Sequence, residues 1–271
     1  MPSSLLQRAV KTSAVAADRV RRPRRGVVVL LYHRVGARSR LEVDLPSALF
    51  EAQMEILAAE GRAASLDDAL RQLDRDALPV RDPVVVSFDD GTADFADVAL
   101  PILQRHRIPA LVYVTTDFVE RGRPFPHGGT PLSWEALRDA LSTGLVSVGS
   151  HTHSHALLDR VPAEEAEHEL DRSIDLIGEN LDIRAEHFAY PKALRGSPAA
   201  EAAVRSRFRS AALAGTRPNQ YGRTDRHRLA RSPIQVADGI RWFRHKAAGG
   251  MGLEDDLRRL LDRRRYAGMT T

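Results

Sequence analysis

The chain contains no cysteine, which excludes disulfides and thiolate metal sites, so any bound metal has to be held by His, Asp or Glu. Its first 25 residues lack the continuous apolar core that a signal peptide or a membrane-spanning helix requires, and they end in the basic run Arg19-Val20-Arg21-Arg22-Pro23-Arg24-Arg25. There is no internal repeat, no sustained heptad pattern and no glycine-rich loop able to cradle phosphates, which leaves nucleotide hydrolysis without support. A large excess of one charge sign is missing too. Forty Lys and Arg face 36 Asp and Glu, for a net charge of +4, and the excess is set by arginine near the two ends. That balance fits an anionic membrane surface or a phosphate-bearing substrate at least as well as a nucleic acid, and no nucleic-acid partner is expected.

What is present is 271 residues at 43% hydrophobic content, enough for one large domain with a substantial core. Residues 1–25 read as a basic extension and 26–271 as the folded domain. Within the extension, Leu5, Leu6, Ala9, Val10 and Ala16 would share one face of a short helix, with Arg8, Lys11 and Arg19 elsewhere, an arrangement suited to peripheral membrane contact. The simpler expectation is a solvated basic tail. With no export signal, the expected location is the cytoplasm or the inner membrane face.

Val27 to Leu31 are too uniformly apolar for a strand buried on one face only. Further strands are expected at 84–88, 110–114, 146–150, 186–190, 210–213 and 229–236. Helices are expected at 46–60, from Ser65 onward, and at 93–107, 133–142, 162–180, 198–206, 237–246 and 253–265, with Pro101 an irregularity in its helix. Residues 121–130, rich in Pro and Gly and carrying Phe125 and His127, read as a loop at the rim of a site or a plain connector. Strands separated by helices argue for parallel βαβ units, and the count of about seven is one short of an eight-unit barrel.

Two stretches carry chemistry. Val84-Val85-Val86-Ser87-Phe88-Asp89-Asp90-Gly91 is a β-branched run that stops at adjacent carboxylates. Neighbouring residues on a strand point to opposite faces, so at least one carboxylate needs a metal, a hydrogen-bond network or solvent. The second, Val146-Ser147-Val148-Gly149-Ser150-His151-Thr152-His153-Ser154-His155, places three imidazoles in five positions after another strand. A helical turn after Ser150 would put His151 and His155 on one face, whereas an extended path would align all three. The turn is expected, because Gly149 and the Ser and Thr residues compete with a regular ladder. Two imidazoles with one carboxylate leave coordination positions open, the mark of a catalytic metal. Zinc suits such ligands, and cobalt, nickel, iron or manganese fit the same set.

Ser87-Phe88-Asp89-Asp90-Gly91 and His151-Thr152-His153-Ser154-His155 resemble the first two motifs of the polysaccharide deacetylase (NodB-homology) family of carbohydrate esterases. Phe188-Ala189-Tyr190-Pro191 is similar to the third motif of the branch that opens with a Tyr-His strand, here Leu31-Tyr32-His33-Arg34-Val35. The resemblance runs from about residue 27 to about 236. It implies a distorted (β/α) barrel of seven parallel strands, with His33, Asp89, Asp90, His151, His155 and Tyr190 at the carboxyl ends of strands, where barrel sites collect. It also implies a divalent metal held by Asp90, His151 and His155, with Asp89 as general base and the Tyr190 backbone N–H as an oxyanion donor. The arginine usual in the third motif is absent, and Arg231 is the candidate to orient Asp89 in its place. No clean Leu-x-His motif supplies a general acid, so His33 is assigned amine protonation; His153 is expected to point away. The expected activity is metal-dependent N-deacetylation of an amino sugar in a polysaccharide, oligosaccharide or lipid-linked glycan. A metal amidase acting on a non-sugar amide and a noncatalytic carbohydrate-binding relative are the alternatives.

Overall fold

The computed structural model describes residues 4–20, 23–74 and 78–256. Seven parallel strands form one sheet: β1 (Val28–Tyr32), β4 (Val84–Phe88), β5 (Ala110–Val114), β6 (Val146–Ser150), β7 (His187–Ala189), β8 (Ser210–Ala212) and β9 (Ser232–Pro233), in the order β8-β7-β6-β5-β4-β1-β9. A separate parallel pair joins β2 (Arg34–Val35) to β3 (Asp44–Leu45). The helices are α1 (Ser4–Val20), α2 (Ser47–Glu60), α3 (Leu66–Leu73), α4 (Leu100–His106), α5 (Thr116–Arg121), α6 (Trp134–Ser142), α7 (Ala163–Leu181), α8 (Pro198–Arg207) and α9 (Gly239–Ala247).

Strand periodicity divides the core in two. Val28, Leu30, Val84, Val86, Phe88, Val112, Val114, Val148 and Phe188 face the helices. Val29, Val85, Leu111, Tyr113, Ala189 and Ala212 form the inner cluster, joined by Leu66, Ala69, Leu70 and Leu73 of α3. Both faces are therefore covered by apolar groups, which is why β1, β4 and β5 are buried at every position. The last segment draws the sheet edges together. Leu229 N–H donates to Ala211 O and Leu229 O accepts from Leu213, while Ile234 N–H donates to Leu31 O. Residues 229–234 thus bond to β8 at one end and β1 at the other, giving the distorted seven-stranded barrel expected from the sequence.

Several boundaries differ from expectation for physical reasons. The helix expected at 93–107 divides into a π-helical segment, Phe95–Ala99, and α4, where Pro101 has no N–H to continue the earlier ladder. The strand expected at 229–236 shortens to Ser232–Pro233, because the chain leaves the sheet for a 3-10 turn at Val236–Asp238. α5, β2 and β3 were not anticipated. Much of the helix expected at 253–265 lies outside the described residues. The solvated tail also fails as a description of α1: Lys11, Ala14 and Val15 are buried, and Lys11 pairs with Asp238. Among the described residues no helix is long and apolar enough to cross a membrane.

Candidate active site

The inward phase of each strand delivers the polar groups. In β4 the residues facing the barrel axis continue from Val85 through Ser87 to Asp89. Ser87 Oγ donates to Leu30 O at 2.8 Å and Asp89 N–H to Tyr32 O at 3.0 Å, extending the β1–β4 ladder. In β6 the same phase continues from Gly149 to His151, whose N–H donates to Val114 O at 2.9 Å. Gly149 is required there, since an added Cβ would lie 2.6 Å from His187 O and 2.8 Å from the Tyr113 ring. Close approach of β6 to β7 lets His151 Nδ1 donate to Ala189 O at 2.7 Å. That bond fixes the tautomer and leaves the Nε2 lone pair free for a ligand.

Asp89 and Asp90 do not end on opposite sides as simple strand alternation requires. Asp90 adopts a left-handed φ of 74° and Gly91 a φ of 89°, which swings the second carboxylate back over the barrel mouth. His151 Nε2 lies 3.8 Å from Asp89 Oδ2 and 3.6 Å from Asp90 Oδ1; His155 Nε2 is also 3.6 Å from Asp90 Oδ1. The two histidines do not meet on a helical turn either. Residues 151–155 are irregular, with Thr152 at φ 64° and His155 at φ 67°, and two left-handed residues bring the rings to an edge-to-face contact with centroids 5.0 Å apart. The loop is pinned by Glu169 of α7, which accepts from Ser154 N–H at 2.7 Å and Ser154 Oγ at 2.8 Å. It is pinned from α5 as well, where Asp117 N–H donates to His153 O at 2.9 Å.

One ligand atom each from Asp90, His151 and His155 lies within 4.8 Å of the others. Donors about 2.1 Å from a tetrahedral cation stand about 3.4 Å apart, so the 3.6 Å separations suit a shared ion. Burial, followed by the neighbouring His151, pushes the His155 imidazole down to about 4, keeping it neutral and able to coordinate at neutral pH. Burial alone would raise the Asp89 carboxyl. The Arg231 guanidinium and then His151 outweigh it and pull Asp89 down to about 2. Arg231, fully buried, closes a two-bond fork on Asp89 at 2.5 and 2.8 Å, donates from Nε to Leu213 O and lies over the Tyr113 ring.

His33 lines the same cavity, of about 440 Å³, and its buried Nδ1 has no hydrogen-bond partner. His153 points elsewhere, with Nδ1 2.9 Å from Thr116 Oγ1. Tyr190 departs from expectation. Its N–H donates to Ala212 O at 3.1 Å and is therefore engaged by the sheet. Its ring packs edge-to-face on Phe188, and burial followed by Glu201 pushes the phenol up to about 12. Neither group is placed to serve an oxyanion. Arg34, Leu41, Val43, Thr92, Phe118, Phe125, Pro126, His127, Ser154 and Lys192 complete the cavity wall. Of these, the sequence picked out the 121–130 rim; Arg34, Leu41 and Val43 come from the stretch between β1 and α2, Thr92 follows β4, Phe118 lies in α5, Ser154 sits between the two facing histidines, and Lys192 follows β7.

A second group, Asp67, Glu186 and His187, also clusters. Arg209 already bonds both carboxylates, and His187 Nδ1 contacts Ser210 Oγ at 2.9 Å, so this is an ion-pair network with its cation built in.

Comparison with known proteins finds similar sequences and folds. Residues 79–210 match the family model described as Polysaccharide deacetylase. Bacillus subtilis YxkH is 24% identical over 208 residues, 76% of this chain and 71% of that protein. The Staphylococcus epidermidis poly-beta-1,6-N-acetyl-D-glucosamine N-deacetylase is 31% identical over 110 residues, 40% of this chain and 37% of that enzyme. Among solved structures, IcaB from Ammonifex degensii aligns with a TM-score of 0.73 at 26% identity, covering 84% of this chain and 98% of that one. The matched segment begins just before β4 and ends at the start of β8, holding both carboxylates and both facing histidines, so the part of the chain that carries the candidate site is similar to the polysaccharide deacetylase family.

Proposed function

We propose that this protein is a metal-dependent hydrolase that removes the acetyl group from an N-acetylated amino sugar in a glycan. The observation that carries the reading is the convergence of Asp90, His151 and His155 on one point, with the ionised Asp89 beside it. Zinc is the cation we propose; a divalent ion there supplies Lewis-acid polarisation of the amide carbonyl and a water of lowered pKa. Asp89, fixed by Arg231, accepts a proton from water as its oxygen bonds to the carbonyl carbon. His33, on the same cavity wall with an unpartnered nitrogen, delivers a proton to the departing amine as the C–N bond breaks. The products are acetate and a free amino sugar. Similarity to the Staphylococcus epidermidis enzyme supports a polymer of N-acetylglucosamine as substrate.

The test is acetate release from N-acetylglucosamine oligomers by protein loaded with zinc. Chelation should abolish it and added zinc restore it. Asp89→Asn should lower kcat by about 10²–10⁴-fold while metal content stays at the level of the parent protein. Turnover that survives both treatments would refute the assignment.

A further inference from the structure

The cavity wall carries two cations that the hydrolytic scheme does not use. Arg34, in β2, is buried apart from 7% of its surface, and its Nε has no hydrogen-bond partner. Among the described residues its one side-chain hydrogen bond, from an Nη to His127 O, is long at 3.3 Å. The nearest carboxylate oxygen, Asp44 Oδ2, is 3.9 Å away and already accepts from Ser39 N–H and Ser39 Oγ at 2.7 Å each.

Lys192 is the second. It is exposed, lines the same cavity, and forms no ion pair among the described residues. Its backbone sits at φ 51°, a left-handed conformation that crowds the Cβ of an L-residue against its own carbonyl. Strain of this kind persists where the surroundings hold a residue in place. On the acidic side, Asp89 is matched by Arg231 and Asp44 is capped by Ser39 and Ala37. Burial raises the Asp94 carboxyl, which accepts from Val35 N–H. Asp90, the other carboxylate of the wall, faces His151 and His155 at 3.6 Å and forms no ion pair with Lys192 among the described residues.

Resting on the deacetylase reading, we infer that Lys192 and Arg34 select a substrate bearing an anionic group, a phosphate or a carboxylate, beside the acetamide that is cleaved. A charge-assisted contact of this kind is the strong class of hydrogen bond, and a partly enclosed cavity shields it from solvent. Lys192 then acts as a specificity determinant and not as an acid or base.

The experiment compares kcat/KM for three tetramers of N-acetylglucosamine: neutral, carrying a phosphate, and carrying a carboxylate. The parent protein should favour at least one anionic tetramer by about tenfold, chiefly through KM, and the preference should shrink as salt is raised. Which anionic tetramer is favoured identifies the group. Lys192→Gln should reduce the anionic-to-neutral ratio by about tenfold, and Lys192→Arg should retain it. Acetate release with a ratio at or below one, or a ratio unchanged in Lys192→Gln, overturns this inference and leaves the deacetylase reading intact. No acetate from any tetramer removes both.

Discussion

Asp89 stays ionised inside the barrel because Arg231 reaches it from a segment 142 positions further along the chain and donates two parallel hydrogen bonds. Removing the guanidinium leaves an uncompensated buried carboxylate, so Arg231→Met should destabilise the fold by about 3–5 kcal/mol. The pH dependence should change sign as well. In the parent protein the folded pKa lies below the ordinary 3.8, so this pair's stabilisation is complete above 3.8 and is lost as pH falls toward 2. In the variant, burial acts on Asp89 without the guanidinium opposing it, raising the folded pKa above the unfolded one. Stability should then improve as pH falls from neutrality, and denaturant titrations between pH 3 and 7 measure both slopes. A variant that keeps the parent slope would show that Arg231 does not set the charge of Asp89. At this scale the sequence was informative where chemistry depends on residue type and less so where it depends on a backbone angle. The Asp-Asp pair and the two outer histidines announce themselves, and a strand end could be assigned to Arg231. The return of Asp90 to its neighbour's side depends on a φ of 74° that no residue type at that position advertises. The Tyr190 N–H looked available because its pairing with Ala212 depends on the β7–β8 register.

Strands position these groups through close backbone approaches, among them that of β6 to β7 at Gly149. Gly149→Ala would drive a methyl group into His187 O and the Tyr113 ring, and a backbone carbonyl inside a sheet cannot swing aside as a side chain can. The expected cost is about 1–3 kcal/mol. Separating β6 from β7 also weakens the His151 Nδ1 bond to Ala189 O, and loss of such a support lowers metal affinity by about 10–100-fold. Thermal unfolding with zinc titration separates the effects. A stability loss with unchanged zinc affinity would mean that strand spacing does not orient His151. Elements with long apolar runs, such as β1, β4 and β5, were legible in sequence because burial on both faces leaves an unbroken β-branched signature. The two-residue pair β2–β3 and the six-residue α5 carry too few residues for periodicity to emerge, yet they supply Arg34 and Phe118 to the cavity wall.

Over the whole molecule, the segment after β9 and the start of the chain are joined through a charge cluster that composition conceals. Asp238 is fully buried and bonds both Lys11 of α1 and Lys246 of α9, the latter at 2.8 Å. Glu254 stands 3.9 and 3.8 Å from the same two ammonium groups. From sequence, Lys11 was one of many basic residues in an apparent tail. Its partner lies 227 positions away, and no local pattern encodes that contact. Two buried cations sharing one carboxylate give a distinctive coupling. Asp238→Ala should destabilise by about 3–5 kcal/mol, since it strands both lysines with only the more distant Glu254 nearby. Lys11→Met alone should destabilise too, because it breaks a buried pair. In the Asp238→Ala background the same Lys11→Met change should instead stabilise, as it removes an uncompensated charge and leaves an apolar side chain beside Trp242, Val15 and Met251. A double-mutant cycle by urea denaturation reads that reversal directly. If α1 does not dock through Lys11, the substitution will have the same small effect in both backgrounds, and the amino-terminal helix will have no part in holding the fold.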